Sequence, residues 1–435
     1  MDPAVAGDFA HAIAGTLPAL ARLLNRDAAV LRLADTSACA VAAEALADVP
    51  GAAEGTIARI RRHQAAGGGP ATIWATGERA SVEYGALRNS VAQRYLDYND
   101  TYVGRAVTHP SDLIPALVAM AEARDLGWDR LLESVTVGYE VLCRLADQAQ
   151  LGSHGFDGST LTPIATVAGA AWLAGLDTMR AAEAISIAAL DAGTLRSVRQ
   201  GKLSDWKAIA SGRGAAKALF AIQMVEAGCR GPERVFEGKD GFCERVSGPL
   251  VIDASGDARL PTTLVKKYPT QIFIQGLIEL AEELRPQLDG RGVKAITIAL
   301  ARAPVEMLGG ASVGHATLNR ETADHSPGFA IAAVLLTGRL SHSDYDALLS
   351  DPRVLALNQA TTLTEDAEAT RHYPREFAAS VSLTLEGGAT LSATHRRPRP
   401  MDSKTFVAKL DDLWPSGRPR EWPWRLGGEA PKFPA

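Results

Sequence analysis

Val293-Lys294-Ala295-Ile296-Thr297-Ile298-Ala299-Leu300 alternates in a period of two and reads as a strand. It lies beyond a change in composition near residue 260. Ala379-Ser380-Val381-Ser382-Leu383-Thr384-Leu385 alternates in the same way. Gly387-Gly388 follows it, and then Thr390-Leu391-Ser392-Ala393-Thr394-His395, so the pair reads as a hairpin. Between these strands, 329–338 and 343–349 read as helices, which makes residues 263–401 an α+β unit.

Upstream the pattern is helical. Phe9-Ala10-His11-Ala12-Ile13-Ala14-Gly15-Thr16-Leu17 and 180–190 carry apolar residues at spacings of three and four. Gly67-Gly68-Gly69-Pro70 and Gly231-Pro232 break the pattern. Thr72-Ile73-Trp74-Ala75 reads as a short extended piece. The apolar run 161–176 carries Pro163 and many alanines, and reads as a tightly packed core helix, too short for a membrane span. Helical spacing returns at Val407-Ala408-Lys409-Leu410-Asp411-Asp412-Leu413-Trp414, followed by Trp422-Pro423-Trp424, which reads as packed against a surface. The fold expected is mainly α with a smaller α+β domain: a helical domain over 1–262, completed by 402–435, and an α+β lid over 263–401.

With 435 residues the chain is long enough for two domains. Its formal net charge of −5 offers no bulk attraction to nucleic acid or an anionic membrane, so neither is expected as a partner. An anionic substrate then requires a local cationic pocket. Cys39, Cys143, Cys229 and Cys243 are scattered, with no zinc-site spacing. Cys143 and Cys229 fall in apolar helical patterns and read as buried thiols. These cysteines, and an acidic start (residues 1–8) without the basic opening of a signal peptide, point to the cytoplasm.

Arg94-Tyr95-Leu96-Asp97-Tyr98-Asn99-Asp100-Thr101 and Thr108-His109-Pro110-Ser111-Asp112 carry the chemistry. Carboxylates, a hydroxyl and an imidazole fall within one short span. If 97–101 are helical, Asp97 and Thr101 share a face. Ser111 then reads as the cap of the next helix, with Pro115 in its first turn and His109 just outside it. Taken alone, the span also reads as an ordinary helix end and surface turn.

The segment resembles the signature of the MmgE/PrpD family, which includes 2-methylcitrate dehydratase, cis-aconitate decarboxylase and iminodisuccinate epimerase. Further segments resemble the family in order and spacing: 203–216 around Lys207, Phe236-Glu237-Gly238-Lys239-Asp240-Gly241-Phe242, Val265-Lys266-Lys267-Tyr268-Pro269, Thr322-Ala323-Asp324-His325-Ser326 and Tyr373-Pro374-Arg375-Glu376-Phe377. The resemblance implies a cleft between two domains, a homodimer joined through the helical domain, and a small polycarboxylate as substrate. It implies Asp97, His109, Lys207 and Lys266 as catalytic residues, with His109 transferring the proton and the lysines holding substrate carboxylates. Thr101, Asp100, His325, His154 and Lys267 are the expected substrate contacts. Two departures weaken the decarboxylase alternative. Phe329 stands where the decarboxylases carry Tyr, and Gly155-Phe156-Asp157 is closer to the dehydratases' Gly-Leu-Asp.

No Walker loop, HExxH or EF-hand loop occurs, and Gly212-Arg213-Gly214-Ala215-Ala216 has no strand before it and the wrong spacing for a dinucleotide loop. No organic cofactor and no metal are expected. The expected reaction is dehydration of a 2-methylcitrate-like acid, in propionate metabolism. The alternatives are a cis-aconitate-type decarboxylase, an iminodisuccinate-type epimerase, and a non-catalytic polycarboxylate-binding or structural dimer.

Overall fold

A computed structural model describes residues 8–47, 55–63, 67–309 and 318–434; most of the acidic start lies outside them. Two hydrophobic cores organise the chain. The first is helical and runs from Ala10 to Leu260, with Phe406, Leu410, Leu413, Trp414, Trp424 and Phe433 joining from the C-terminus. Helix Thr162–Ala174, the apolar run of the sequence, lies in its middle with nearly every side chain buried. Its tight packing on helix Trp128–Ala146 depends on Gly169. A Cβ there would stand 2.8 Å from the Ser134 carbonyl oxygen, and the Ser134 hydroxyl donates to Gly169 O at 2.9 Å.

The second core spans Ile272 to Ala393 and is built on a four-stranded sheet. The strands lie in the order Thr361–Glu365, Val293–Leu300, Ala379–Leu385, Thr390–His395. Val293–Leu300 runs parallel to the first and antiparallel to the third, opposing Ile296 to Leu383 and Ile298 to Val381. The period of two has a direct cause: Ile296, Ile298 and Leu300 point into the core while Lys294 and Thr297 are exposed. Helix Gln275–Leu284 covers the sheet and packs on helix Pro327–Thr337, where Phe329 is fully buried.

The chain returns to the first core through helix Ser403–Leu413, which packs on helix Arg26–Leu46. Trp424 stacks at 4.7 Å on Trp74 and at 6.1 Å on Trp128, so the Trp-rich extension is core rather than surface dressing. No helix among the described residues is long and apolar enough to cross a membrane.

Several local expectations are corrected. Residues 97–101 are not helical: the helix Val82–Tyr95 ends before them, and Asp97 turns the chain at φ +48°. Ser111 caps nothing. It sits inside a 3-10 turn, Pro110–Leu113, and the following helix Ile114–Ala123 has no side-chain cap, although Pro115 does occupy its first turn. The strand near Trp74 is Gly67–Thr72, the glycine-rich stretch itself, because it pairs with Arg79–Ala80 and Ile73–Trp74 begin the turn. Cys229 is exposed: helix Trp206–Glu226 has ended before it, and Gly228 turns the chain at φ +89°.

Candidate active site

Asp97 lies at the centre of a buried chain of charges that joins the two cores. A non-glycine residue at positive φ is strained, and Asp tolerates it better than most residues. The turn sends its carboxylate back onto its own helix, where Arg94 Nη1 donates to Oδ1 at 2.5 Å. Lys266 Nζ donates to the same oxygen at 2.7 Å and to Asp97 O at 2.8 Å. A two-bond bridge holds Lys266 there: Thr101 N–H donates to Leu264 O at 3.0 Å, and Leu264 N–H to Thr101 O at 2.7 Å. His325 Nδ1 stands 3.5 Å from Asp97 Oδ2 and pairs with Asp324. Asp324 also pairs with Lys207, whose Nζ lies 2.9 Å from Glu321. Lys207 is thus a fully buried cation in the first turn of helix Trp206–Glu226, where the helix dipole disfavours it and lid carboxylates offset the cost.

His109 completes the cluster. Its Nδ1 is 3.0 Å from Asp100 O and 3.2 Å from Thr101 Oγ1, while Nε2 faces Arg94 Nη2 at 3.0 Å. A carbonyl can only accept, so Nδ1 carries the proton and Nε2 is the basic atom, accepting from Arg94. Burial, then the charges of Arg94 and Lys266, hold the imidazole well below 6.5. Near pH 7 His109 is therefore uncharged.

The other groups follow the same balance. Burial pushes the Asp97 carboxyl up, but Arg94, Lys266 and His325 hold it well below its usual range. Burial lowers the Lys266 ammonium to about 8, with Arg94 adding to the shift and Asp97 opposing it. Burial also lowers Lys207, but Asp324 and Glu321 more than offset it. His325 is lowered, by burial first, and Glu321 is raised by burial despite Lys207.

Asp97, His109, Lys207, Lys266, Thr101 and His325 are therefore brought together. Ser326, not His325, caps the next helix, its hydroxyl accepting from Phe329 N–H at 3.4 Å. Three expected substrate contacts stand elsewhere. The Asp100 carboxylate accepts from Ser111 N–H at 3.0 Å and faces Arg32 at 3.6 Å, so it braces the loop beneath His109. His154 is exposed and bonded to Gln150 O at 3.2 Å. Lys267 points away from its neighbour Lys266, onto Glu279 at 2.8 Å. Two central residues went unassigned in the sequence, Arg94 and Asp324. Their signal is adjacency: Arg94 is one helical turn before Asp97, and Asp324 immediately precedes His325.

The ligand atoms of Asp97, Asp324 and His325 lie within 4.8 Å of one another, a grouping that could hold a metal ion. Here Arg94, Lys266 and Lys207 already pair with the two carboxylates, so a dication would enter among three cations. The residues fit an anion better.

The chain is similar to 2-methylcitrate dehydratase of Cupriavidus necator, 27% identical over 361 residues, which is 73% of this chain and 72% of that protein. It is 25% identical over 372 residues to the mitochondrial 2-methylcitrate dehydratase of Yarrowia lipolytica, 77% of this chain and 71% of the relative. The Escherichia coli (strain K12) 2-methylcitrate dehydratase is 25% identical over 328 residues, 67% and 65% of the two chains. The MmgE/PrpD N-terminal domain matches residues 8–253 and the MmgE/PrpD C-terminal domain matches 268–419, so the chain belongs to the MmgE/PrpD family.

Proposed function

We propose that the protein is a cofactor-independent hydro-lyase that removes water from a 2-methylcitrate-like tricarboxylate. The observation that carries this reading is the buried Arg94–Asp97–Lys266 and Asp324–Lys207 network beside a neutral His109. A proton next to a carboxylate is weakly acidic, and its removal builds charge on the carboxylate oxygens. Fixed cations in a water-poor site stabilise that charge strongly. On substrate binding, carboxylates replace Asp324 and Asp97 as partners of Lys207 and Lys266.

With the Arg94 hydrogen bond released, His109 Nε2 takes the proton from carbon as the C–O bond breaks and the C=C bond forms. The departing hydroxide needs a proton. Lys266, at about 8, is the cation in the cluster best matched to give one. Thr101 positions the substrate by its hydroxyl. Asp97 and Asp324 set the approach of the cations.

Phe329 favours dehydration over decarboxylation. It lies in the lid core, 5.6 Å from the Tyr345 ring, and the Tyr345 hydroxyl is committed to Pro269 O at 2.6 Å. Among the described residues, the phenol packed on Phe329 is thus not free to stand in for the missing one. The names of the relatives supply the substrate class. The reading includes a homodimer joined through the helical core, supported by exposed Met179 and Leu190 on one helix and Phe220 on the helix packed beside it. Sedimentation as a monomer at micromolar concentration would remove that element.

The test is proton NMR of the purified protein in D2O with 2-methylcitrate, citrate, cis-aconitate and iminodisuccinate in separate tubes. An alkene product from 2-methylcitrate is expected. Itaconate-like signals, or deuterium uptake without net conversion, would replace dehydration with decarboxylation or epimerisation. Binding without turnover of any of them would make the protein a silent polycarboxylate binder.

A further inference from the structure

Arg199 ends a 3-10 turn, Arg196–Arg199, on a segment that links the Asp157 loop to the second core. The segment is tied to the loop that carries Asp157. Asp157 N–H donates to Thr194 O at 2.9 Å, Arg196 N–H to Gly155 O at 2.8 Å, and Phe156 forms a bridge with Leu195. Four residues beyond Arg199 the segment reaches the lid. Leu203 N–H donates to Thr322 Oγ1 at 3.2 Å, and Asn319 Nδ2 donates to Leu203 O at 2.8 Å. These are the turns that precede Asp324 and His325.

The guanidinium is only partly used. Nε donates to Asp157 Oδ2 at 3.0 Å and Nη2 to Asp157 Oδ1 at 3.3 Å. Asp157 is itself fixed, accepting from Ser159 N–H at 3.1 Å and the Ser159 hydroxyl at 2.6 Å. The next residue, Gly158, packs so tightly on Val107 that a Cβ would lie 1.9 Å from its carbonyl oxygen, and Val107–Thr108 is the strand that leads into His109. The third donor of the fork, Nη1, is buried and has no hydrogen-bond partner among the described residues. A buried donor left unpaired is costly, so an acceptor is expected there. The contact of Gly158 with Val107 thus brings the Asp157–Arg199 pair to the strand that ends at His109, and the charge of Arg199 is among the lesser causes, after burial, Arg94 and Lys266, that lower that imidazole.

We infer that Arg199, presented by Asp157, is the specificity residue of this cleft: its Nη1 binds the substrate carboxylate farthest from the reacting carbon, so the site prefers tricarboxylates to dicarboxylates. The inference rests on the polycarboxylate reading above. Lys207 and Lys266 account for two carboxylates and Arg94 is committed to Asp97 beside His109, so a third anion needs a further cation. Two donors locked on Asp157 fix the plane of the fork and so the direction of the third, which a lysine in that place could not do.

Calorimetric titration of the whole protein with tricarballylate and with glutarate tests it, since neither ligand has a hydroxyl to lose. Arg199→Gln is expected to weaken tricarballylate roughly 10- to 100-fold and glutarate less than about 2-fold. Because Arg199→Gln strands the Asp157 carboxylate, Asp157→Asn/Arg199→Gln, which leaves no buried charge, is titrated alongside and should lose the same selectivity. Equal losses for both ligands, or undiminished tricarballylate binding in the folded double variant, overturn the role of Arg199. A wild-type protein that binds neither ligand overturns the polycarboxylate reading itself.

Discussion

Lys266 meets Asp97 twice, through the carboxylate at 2.7 Å and through the backbone oxygen at 2.8 Å. The ammonium thus reads both the charge and the strained turn of a residue 169 positions away in the chain. Its pKa nevertheless lies low, because burial and Arg94 together outweigh the single carboxylate that it shares with Arg94.

The pH dependence of kcat/KM follows from this pair. His109 must be neutral to act as a base, and its folded pKa lies well below 6.5, so no acid limb is expected near 6.5. Lys266 must be charged, and it loses its proton as pH rises through about 8. The profile should be flat from 6.5 to about 7 and fall above about 8. In kcat the basic limb should move higher, because a bound carboxylate stabilises the ammonium. A basic limb at the same pH in both parameters would remove Lys266 from substrate binding.

Arg94→Gln should be costly in two measurable ways. It breaks a buried ion pair, for which a loss of about 3–5 kcal/mol in urea unfolding is expected. It also removes the largest charge that holds His109 down, so the imidazole pKa should rise. The acid limb of kcat/KM should then move up in pH from its wild-type position, while burial and Lys266 still hold the imidazole below its ordinary range. An imidazole resonance unmoved in pH-titrated NMR would contradict the pairing.

His109→Ala should leave the circular dichroism spectrum intact and lower kcat by roughly 10²- to 10⁴-fold or more, the range for a lost acid–base group. Retention of most of kcat would take His109 out of the mechanism.

The C-terminal helix reaches into the site. Lys409 Nζ donates to Tyr98 O at 2.8 Å, pairs with Asp35 at 2.5 Å and lies 4.1 Å from the Tyr98 ring. Lys409→Met strands a buried carboxylate and should cost about 3–5 kcal/mol. Asp35→Asn/Lys409→Met should recover most of that stability yet keep a reduced kcat, because the Tyr98 carbonyl next to Asp97 has lost its anchor. Full recovery of both would make the contact purely structural.

Activity should survive dialysis against a chelator, since the two carboxylates of the Asp97–Asp324–His325 group are already matched by cations. Loss of turnover that iron or zinc restores would overturn the cofactor-independent reading.

Regular elements were legible because their period is local. Val293–Leu300 and the hairpin of Ala379–Leu385 with Thr390–His395 stand where alternation put them, since one face of the sheet is buried and the other is not. Helices 329–338 and 343–349 were legible within two residues of each end, for the same reason of spacing. The loop 97–101 was not. Its conformation is set by Arg94, Lys266 and the Thr101–Leu264 bridge, and two of those partners lie more than 160 residues away.

By itself the sequence determined the long periodic helices and strands, the order of a helical unit and an α+β unit, and most of the charged residues that meet in one site. Only the tertiary structure decided which way each side chain turned. Lys266 and Lys267 are neighbours, yet one is sealed against Asp97 and the other bound to Glu279. Asp97 and Asp100 share a loop, yet one faces the lid and the other the helical core. Adjacent residues in an irregular turn have no period to fix their direction. That direction comes from long-range partners, and in a buried site the same partners set the protonation states on which the chemistry depends.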